Sequence, residues 1–540
     1  MLILSEPHIA IEGWEKWITV KTTLNSRTLI HDIKINDPPH RLDFPQYLSV
    51  WIQNKLQPIF AALPLENVVM TATRPSLVGH ELSINFNADL IANTNEALRK
   101  YINLAGMCSA FNDCLFINIG GDIRYKSFYE HLNDEAGNVH YMDIPSGFNR
   151  VTREWETISL PMSIEDLISF IKINRIGKIV SVNHYFIDRY AAILSVDLLY
   201  LLRMLGVQYF AITHDPFDLR PLGYLNKRCV LNGGATYFSG MSCLNEYWDQ
   251  KMGMGVTYVP LPQDYRHSKQ IKLDDDYDII VLSNSRLGNV KALDEQIKML
   301  FDAIPRSSLF IDIQLWYMAC HYLLTEIMPL TMDQRLYYIS ILHQFFFAFL
   351  QYIKHVIINE LKTDRTIKVY GDEGWKEICP QYYQGCLDNE GIERLYSETN
   401  HLYLLMNFSF SYLDASGPVY DVIRRGLPFV NVPPIVKTSN LEGLKHIEYS
   451  TMDELTPLVN DFNPMLNKPD LINALGICRD IYRTGTQSIV DKIRGVEMRE
   501  VNQFQLGIQA HNDLIREAAK TYLYENELFV RATLNSFMGL

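Results

Sequence analysis

A chain of 540 residues is too long for one compact core and predicts two domains with additions. Apolar residues at 48% and charged residues at 21% are the balance of an ordinary globular protein. The net charge of −13 argues against a nucleic-acid binder, which needs a basic stripe to neutralise phosphates, though it leaves room for a local basic pocket.

The eight cysteines are scattered, with no CxxC pair and no ligand-like spacing, and read as reduced, mostly buried thiols of a cytoplasmic protein. The N-terminus, MLILSEPHIAIEGWE, has no basic leader and carries Glu6 too early for an apolar one, so no signal peptide is expected. No run reaches the roughly 18 apolar residues expected of a membrane helix. The nearest, 336–358, is interrupted by His343, Gln344, Gln351 and Lys354 at a spacing that suits a polar stripe. That predicts a buried amphipathic helix, with a peripheral membrane or partner contact as the second reading.

Along the chain, the first hundred residues alternate β-rich stretches at 17–24, 68–73 and 82–86 with turns such as Asn36-Asp37-Pro38-Pro39. From about Cys114 the texture becomes alternating β/α, the pattern of a parallel sheet. Strands are predicted at 115–119, ending in Gly120-Gly121-Asp122, at 178–182, ending in Asn183-His184-Tyr185, and at 208–212, ending in Thr213-His214-Asp215-Pro216. Helices are predicted at 164–173 and 191–205, and two last strands at 236–239 and 256–259. A break rich in proline and charge at 260–276 marks a hinge.

A second α/β unit opens with a strand at 277–283 and a helix at 291–304, and a helical insertion follows to about Leu361. The most informative stretch comes next, from Ile367 to Val432: IKVYGDEGWKE, then ERLYSETNHLYLLMNFSFSY, then GPVYDVIRRGLPFVNVP. It reads as three strands, at 367–370, at 402–408 and through Phe429 and Val430, with helices at 392–397 and around Asp421 between them. Each strand end delivers a glycine or a carboxylate to one edge of a parallel sheet, the edge where nucleotides bind in open α/β folds. The tail from Asp470 is predicted to be helical.

This stretch resembles the C-terminal half of group 1-like glycosyltransferases, in particular the spore-maturation (CgeB-type) glycosyltransferases. The matching pieces are Tyr370, Gly371, Gly374 and Trp375, then Leu395 and Tyr396, then Gly417, Val419, Tyr420, Asp421 and Gly426. The outline extends over roughly residues 110–460, with a tight part about 70 residues long. The resemblance implies a GT-B fold, in which two Rossmann-like α/β domains face a cleft. Its parts would be an N-terminal β-rich addition (1–108), an acceptor-side domain (109–265) and a nucleotide-sugar-binding domain (275–465) with a helical insertion (305–362). A helical tail (466–540) would follow, with 512–537 as the candidate to cross back onto the first domain. The activity implied is transfer of a sugar from a nucleotide-sugar donor to a glycan, lipid-linked or protein acceptor, with no metal and no cofactor beyond that donor.

A departing diphosphate needs positive charge or backbone N–H groups, and the acceptor hydroxyl needs a base. Ser285 and Arg286, followed by Lys291 five residues on, resemble the family feature whose arginine and lysine hold the diphosphate. No motif of metal-ligand spacing is visible, so cationic side chains and a helix N-terminus are expected to carry that charge. The bland reading is two solvated loop charges. Asp421 matches the acidic residue that accepts from the ribose hydroxyls, with aspartate where glutamate is commoner. The family's second glutamate would fall at position 413, which is leucine, and Asp414 stands one residue off on the sugar side.

Gly371 would bring the base close to the backbone, Tyr396 would wall its pocket, and Gly417 precedes the helix of Asp421. Gly426 reads as a helix C-cap and Trp375 as core. In the first domain His184 and Asp215 end consecutive strands and are candidates to take the acceptor's proton, with His214 an alternate to Asp215. Gly120 and Gly121 would admit sugar or acceptor. Two rival classes fit the same architecture. One is a non-catalytic subunit that binds carbohydrate or a partner, and the other a sugar-nucleotide epimerase or hydrolase, which would want a larger cluster of carboxylates and histidines.

Overall fold

The computed structural model describes residues 2–5, 16–24, 27–35, 68–74, 82–86, 88–119, 125–145, 159–183, 185–194, 196–213, 235–240, 244–246 and 255–262. It continues through 276–305, 308–330, 332–398, 400–406, 421–422, 425–432, 449, 451–463, 476, 480, 482–496 and 501–538. The first five strands are β1 (Leu2–Ser5), β2 (Lys16–Leu24), β3 (Arg27–Ile35), β4 (Val68–Arg74) and β5 (Leu82–Phe86). They form a sheet in the order β3-β2-β1-β4-β5, antiparallel except between β1 and β4. Helix α1 (Ala88–Lys100), which the β-rich reading of this region did not anticipate, follows.

The second sheet is parallel throughout. Its strands β6 (Asp113–Ile119), β7 (Val139–Ile144), β8 (Ile176–Val182), β9 (Gln208–Thr213), β10 (Ala235–Ser239) and β11 (Thr257–Tyr258) stand in the order β11-β10-β9-β8-β6-β7. Phe116 pairs with Tyr141 on one side and Val180 on the other, and Val180 pairs with Phe210. Strands β6 and β8 are buried along nearly their whole length, as parallel strands covered on both faces must be. Leu115, Ile117 and Ile179 join one core layer, while Phe116, Val180 and Phe210 join the other.

Helix α2 (Lys126–Ala136) buries Phe128 and Leu132 on the Phe116 side. On the opposite side lies α3 (Ile164–Ile173), which begins where Ser163 Oγ accepts from the Asp166 N–H at 3.0 Å. Its buried Ile164, Leu167, Ile168 and Ile171 recur at helical spacing and meet the sheet as one stripe. The single helix expected at 191–205 is two, α4 (Tyr185–Leu194) and α5 (Leu198–Leu205). Asp197 separates them: its carboxylate accepts from Leu199 N–H, and its own N–H donates to Thr94 Oγ1 at 2.8 Å.

The third sheet is also all parallel. Strands β12 (Asp278–Leu282), β13 (Ile367–Tyr370), β14 (Tyr383–Gly385), β15 (His401–Leu404) and β16 (Phe429–Val430) stand in the order β14-β13-β12-β15-β16. The stretch read as three strands therefore holds four, the addition being the short edge strand β14. Between β12 and β13 run α6 (Leu287–Ala292), α7 (Asp294–Ala303), α8 (Leu309–Tyr322) and α9 (Met332–Glu360). The first two replace the one helix expected at 291–304.

Helix α9 contains the one described segment, Ile341–Glu360, long and apolar enough to cross a membrane by length and composition, and 72% of that window is buried in the fold. Its interruptions are not a solvent-facing stripe. His343 and His355 are buried, and Gln351 is buried beside them. Tyr317 OH meets His343 Nδ1 at 2.5 Å, and the Tyr317 ring stacks on Phe346 at 4.0 Å. A helix that is apolar nearly all round belongs to an interior, and its polar residues then point at other elements.

After β15 comes the strand β16, then the last helices. In chain order, α10 (Gly374–Ile378) and α11 (Asn389–Ser397) lie between the strands, and α12 (Met452–Asn460) follows them. Helix α13, over 482–494, buries Ile489, Val490 and Ile493 against the Phe116 face of the six-stranded sheet. His131 Nε2 meets Gln487 Oε1 at 2.8 Å and Arg494 pairs with Glu135 at 2.8 Å, fixing α13 beside α2. Helices α14 (Val501–Glu525) and α15 (Glu527–Met538) pack on α8, where Trp316 Nε1 donates to Thr533 Oγ1 at 2.9 Å. The chain is α/β, with two Rossmann-like parallel sheets.

Candidate functional site

Numbered by chain position, the third sheet runs 3-2-1-4-5, so the order reverses between β12 and β15. Ligands of open α/β sheets bind beyond the carboxyl ends of the strands at such a reversal. What the sequence places there is Ser283-Asn284-Ser285-Arg286 at the end of β12 and Gly371-Asp372 at the end of neighbouring β13.

Asp372 organises this edge. Its carboxylate accepts from Ser285 Oγ, from the Arg286 N–H at 3.1 Å and from the Gly374 N–H at 3.2 Å. Arg286 is held with φ 45° and ψ 40°, left-handed backbone that disfavours a residue with a Cβ by about 1 kcal/mol. Its side chain is exposed and makes no ion pair among the described residues. The helix that follows has six residues, too short for a substantial dipole, so the cationic side chains are what this edge offers an anion.

Two residues of α9 reach the same place. Lys354 Nζ donates to Ser283 Oγ at 3.1 Å. His355 Nε2 lies 2.9 Å from the Ser285 carbonyl oxygen, which can only accept, so Nε2 carries the proton. Burial lowers the histidine's basicity and favours that neutral form. Burial first, and then the charge of Arg286, draw the Lys354 ammonium down to about 8. Neither α9 residue nor Asp372 was singled out from sequence as part of the site. The available signal was Lys354 itself, a charge inside an otherwise apolar helix.

Trp375 is fully buried, donates from Nε1 to the Ser283 carbonyl at 2.6 Å, and meets the His355 ring edge-on at 5.2 Å. Gly371 was expected to bring a ligand base close to the backbone; in the structure its Cβ side faces β12, where a Cβ would stand 1.9 Å from the Ser283 carbonyl oxygen. The glycine lets the β13 turn close on the end of β12. Gly374 acts likewise, since its Cβ would fall 2.1 Å from Ser285 Oγ.

Of the remaining expected donor-site residues, Lys291 pairs with Glu377 at 2.5 Å, both side chains more than half exposed. Asp421 accepts from Arg425 Nη1 at 3.2 Å, and Arg425 also bonds Glu393. The same guanidinium lies 4.4 Å over the Tyr396 ring, which is buried and packs near Tyr403. Tyr396 is thus a core residue covered by Arg425 rather than an open wall. Gly426 has φ 65° just past the helical turn of Arg425, the C-cap conformation expected of it.

Gly120, Gly121, His184, His214, Asp215, Asp414 and Gly417 lie outside the described residues. Next to His184, Asn183 follows β8 in left-handed backbone at φ 54° and its N–H donates to the Ile212 carbonyl at 2.8 Å. The five described cysteines are free thiols, four of them buried. No protein-family model and no curated protein matches the chain.

Proposed function

We propose that the chain is a GT-B glycosyltransferase of the cytoplasm, moving a sugar from a nucleotide-sugar donor to a glycan, lipid-linked or protein acceptor. Arg286 carries this reading. An exposed arginine is held in left-handed backbone at the end of the first strand of a 3-2-1-4-5 parallel sheet, with no ion-pair partner among the described residues. An anionic ligand beyond that edge would supply the charge it lacks.

In the proposed reaction the acceptor hydroxyl oxygen bonds to the anomeric carbon as the bond from that carbon to the donor phosphate oxygen breaks. That oxygen leaves with the electron pair on the nucleoside diphosphate, where Arg286 stabilises the growing charge. The hydroxyl proton passes to a base, for which His184 and Asp215 are the candidates. Asp421 is assigned to the ribose. Free thiols accord with a reducing compartment.

Titration with UDP, GDP, ADP and dTDP tests the assignment. One of them should bind, and Arg286→Ala and Asp421→Ala should each weaken it roughly 10-fold or more with melting unchanged. Unaltered affinity in both variants would sink the reading. The Asp421–Arg425 pair favours a second one, a non-catalytic subunit of the same fold, because it already occupies one ribose-binding oxygen. Tight nucleotide binding without turnover of any donor would support that alternative.

A further inference from the structure

We propose that Lys354, on the long helix α9 of the β12–β13 crossover, joins Arg286 as the second cation of a diphosphate site, and that Lys291 takes no part in it. This rests on the reading of the β12 edge as a nucleotide-diphosphate site and adds a ligand-binding residue to it.

Lys354 sits among Leu350, Ile353, Ile357 and Ile358, all buried. A lysine in such surroundings is unfavourable unless its charge is met. Its ammonium has three hydrogens, and only the Ser283 hydroxyl takes one of them among the described residues. Ser283 accepts from it and Arg286 acts on it as a like charge from the end of β12, while its neighbour His355 on α9 feels both Lys354 and Asp372 of the β13 turn. Lys354 makes no ion pair with Asp372 among the described residues; that carboxylate accepts from the Ser285 hydroxyl and from the Gly374 and Arg286 N–H groups. Two like charges therefore stand close together at the carboxyl end of the sheet, each without an ion pair among the described residues. That is an unfavourable arrangement by itself and a favourable one around a doubly charged phosphate or diphosphate.

Lys291 has the opposite surroundings. Its charge is already met by Glu377, in solvent. The lysine that sequence spacing nominates is thus occupied, while the one the packing delivers is not.

The experiment is calorimetric titration of the whole chain with UDP, GDP, ADP, dTDP and inorganic pyrophosphate, for wild type, Lys354→Met and Lys291→Met. Methionine keeps the length and apolar stem, so α9 retains its packing. The expected result is a roughly 10- to 100-fold loss of affinity in Lys354→Met and less than about twofold change in Lys291→Met. Loss in Lys291→Met with Lys354→Met unchanged overturns this proposal and leaves the nucleotide reading standing. Pyrophosphate binding that depends on Lys354, with no nucleotide bound, retires the nucleotide reading and keeps the cation pair. Absence of binding by all five probes overturns both. Should Lys354→Met fold poorly, wild-type titration in buffers of different ionisation enthalpy decides the matter. Binding should take up protons near pH 8–9 and weaken as pH rises further, and proton uptake of zero there would refute a role for Lys354.

Discussion

Arg516, on α14, donates to Glu246 at 3.0 Å across 270 positions of sequence, and Asn512 one turn earlier donates to the same oxygen at 3.0 Å. Glu246 is buried at 7% exposure, and that burial raises its pKa against the opposing pull of Arg516. Together with Met318, His321, Tyr322 and Ile515 these side chains line a cavity of about 50 Å³. Arg516→Met should destabilise the protein by about 1–2 kcal/mol, less than a fully buried pair because Arg516 is one-third exposed. The pH dependence has a definite sign. A carboxyl whose folded pKa lies above its unfolded value holds its proton longer in the native state, so stability falls as pH rises between those values. Without Arg516 the folded pKa should rise further and that fall should deepen and extend to higher pH, as denaturant titration at several pH values would show. An equal slope in the variant would contradict the account of Glu246.

Gly371→Ala should destabilise the chain by roughly 2–4 kcal/mol, since a Cβ at 1.9 Å from the Ser283 carbonyl forces the β12 and β13 ends apart. Gly288→Ala, with open space at its Cβ and an unstrained backbone, is the control and should leave the melting temperature almost unchanged. Similar melting in both variants would show that the edge is looser than described.

Arg286→Gly separates backbone strain from ligand binding. Relief of the left-handed conformation and glycine's extra unfolded freedom are each about 1 kcal/mol, so stability should stay within about 0.5 kcal/mol of wild type. Arg286→Val, β-branched at the same φ, should lose a further 1–2 kcal/mol or so. Both should lose nucleotide affinity alike. A stable valine variant would mean that the left-handed turn relaxes freely.

Asp372→Asn should weaken nucleotide binding through Arg286, because the carboxylate fixes the arginine's own N–H and the Ser285 hydroxyl. In a double-mutant cycle with Arg286→Ala the two losses should not add: the double variant should bind about as poorly as Arg286→Ala alone. Additive losses would assign Asp372 an independent contact.

The buried strands were the legible part. Helix α3 and strand β13 fall where apolar spacing put them, and β6, β8 and β9 differ from expectation by one or two residues, because strands buried on both faces read as continuous apolar runs. The edge strands β11 and β16 fell within the stretches expected at 256–259 and through Phe429 and Val430, but β7 and β14 were not legible. In β7 burial alternates, and β14 has three residues, so neither makes such a run. The expected helix 191–205 is split because Asp197 caps a new helix at Leu198, a local hydrogen bond invisible to apolar periodicity. The site was half legible. Arg286 and Ser285 stand out at a strand end, but Lys354 and His355 arrive from a helix some 70 residues on, and only tertiary packing brings them to Ser283 and Ser285. Two tail helices reach the first parallel-sheet region: α13 at 482–494 seats on its outer face, and α14, which holds the start of the 512–537 segment expected to cross back, bonds Glu246 through Asn512 and Arg516.

Because Ile489, Val490 and Ile493 cover Phe116 and Val180, the ribosome finishes the six-stranded sheet hundreds of residues before the chain can shield its outer side. During synthesis that greasy surface waits exposed, a natural grip for chaperones and a hazard for self-association. Truncating the protein anywhere before α13 would make that transient condition permanent.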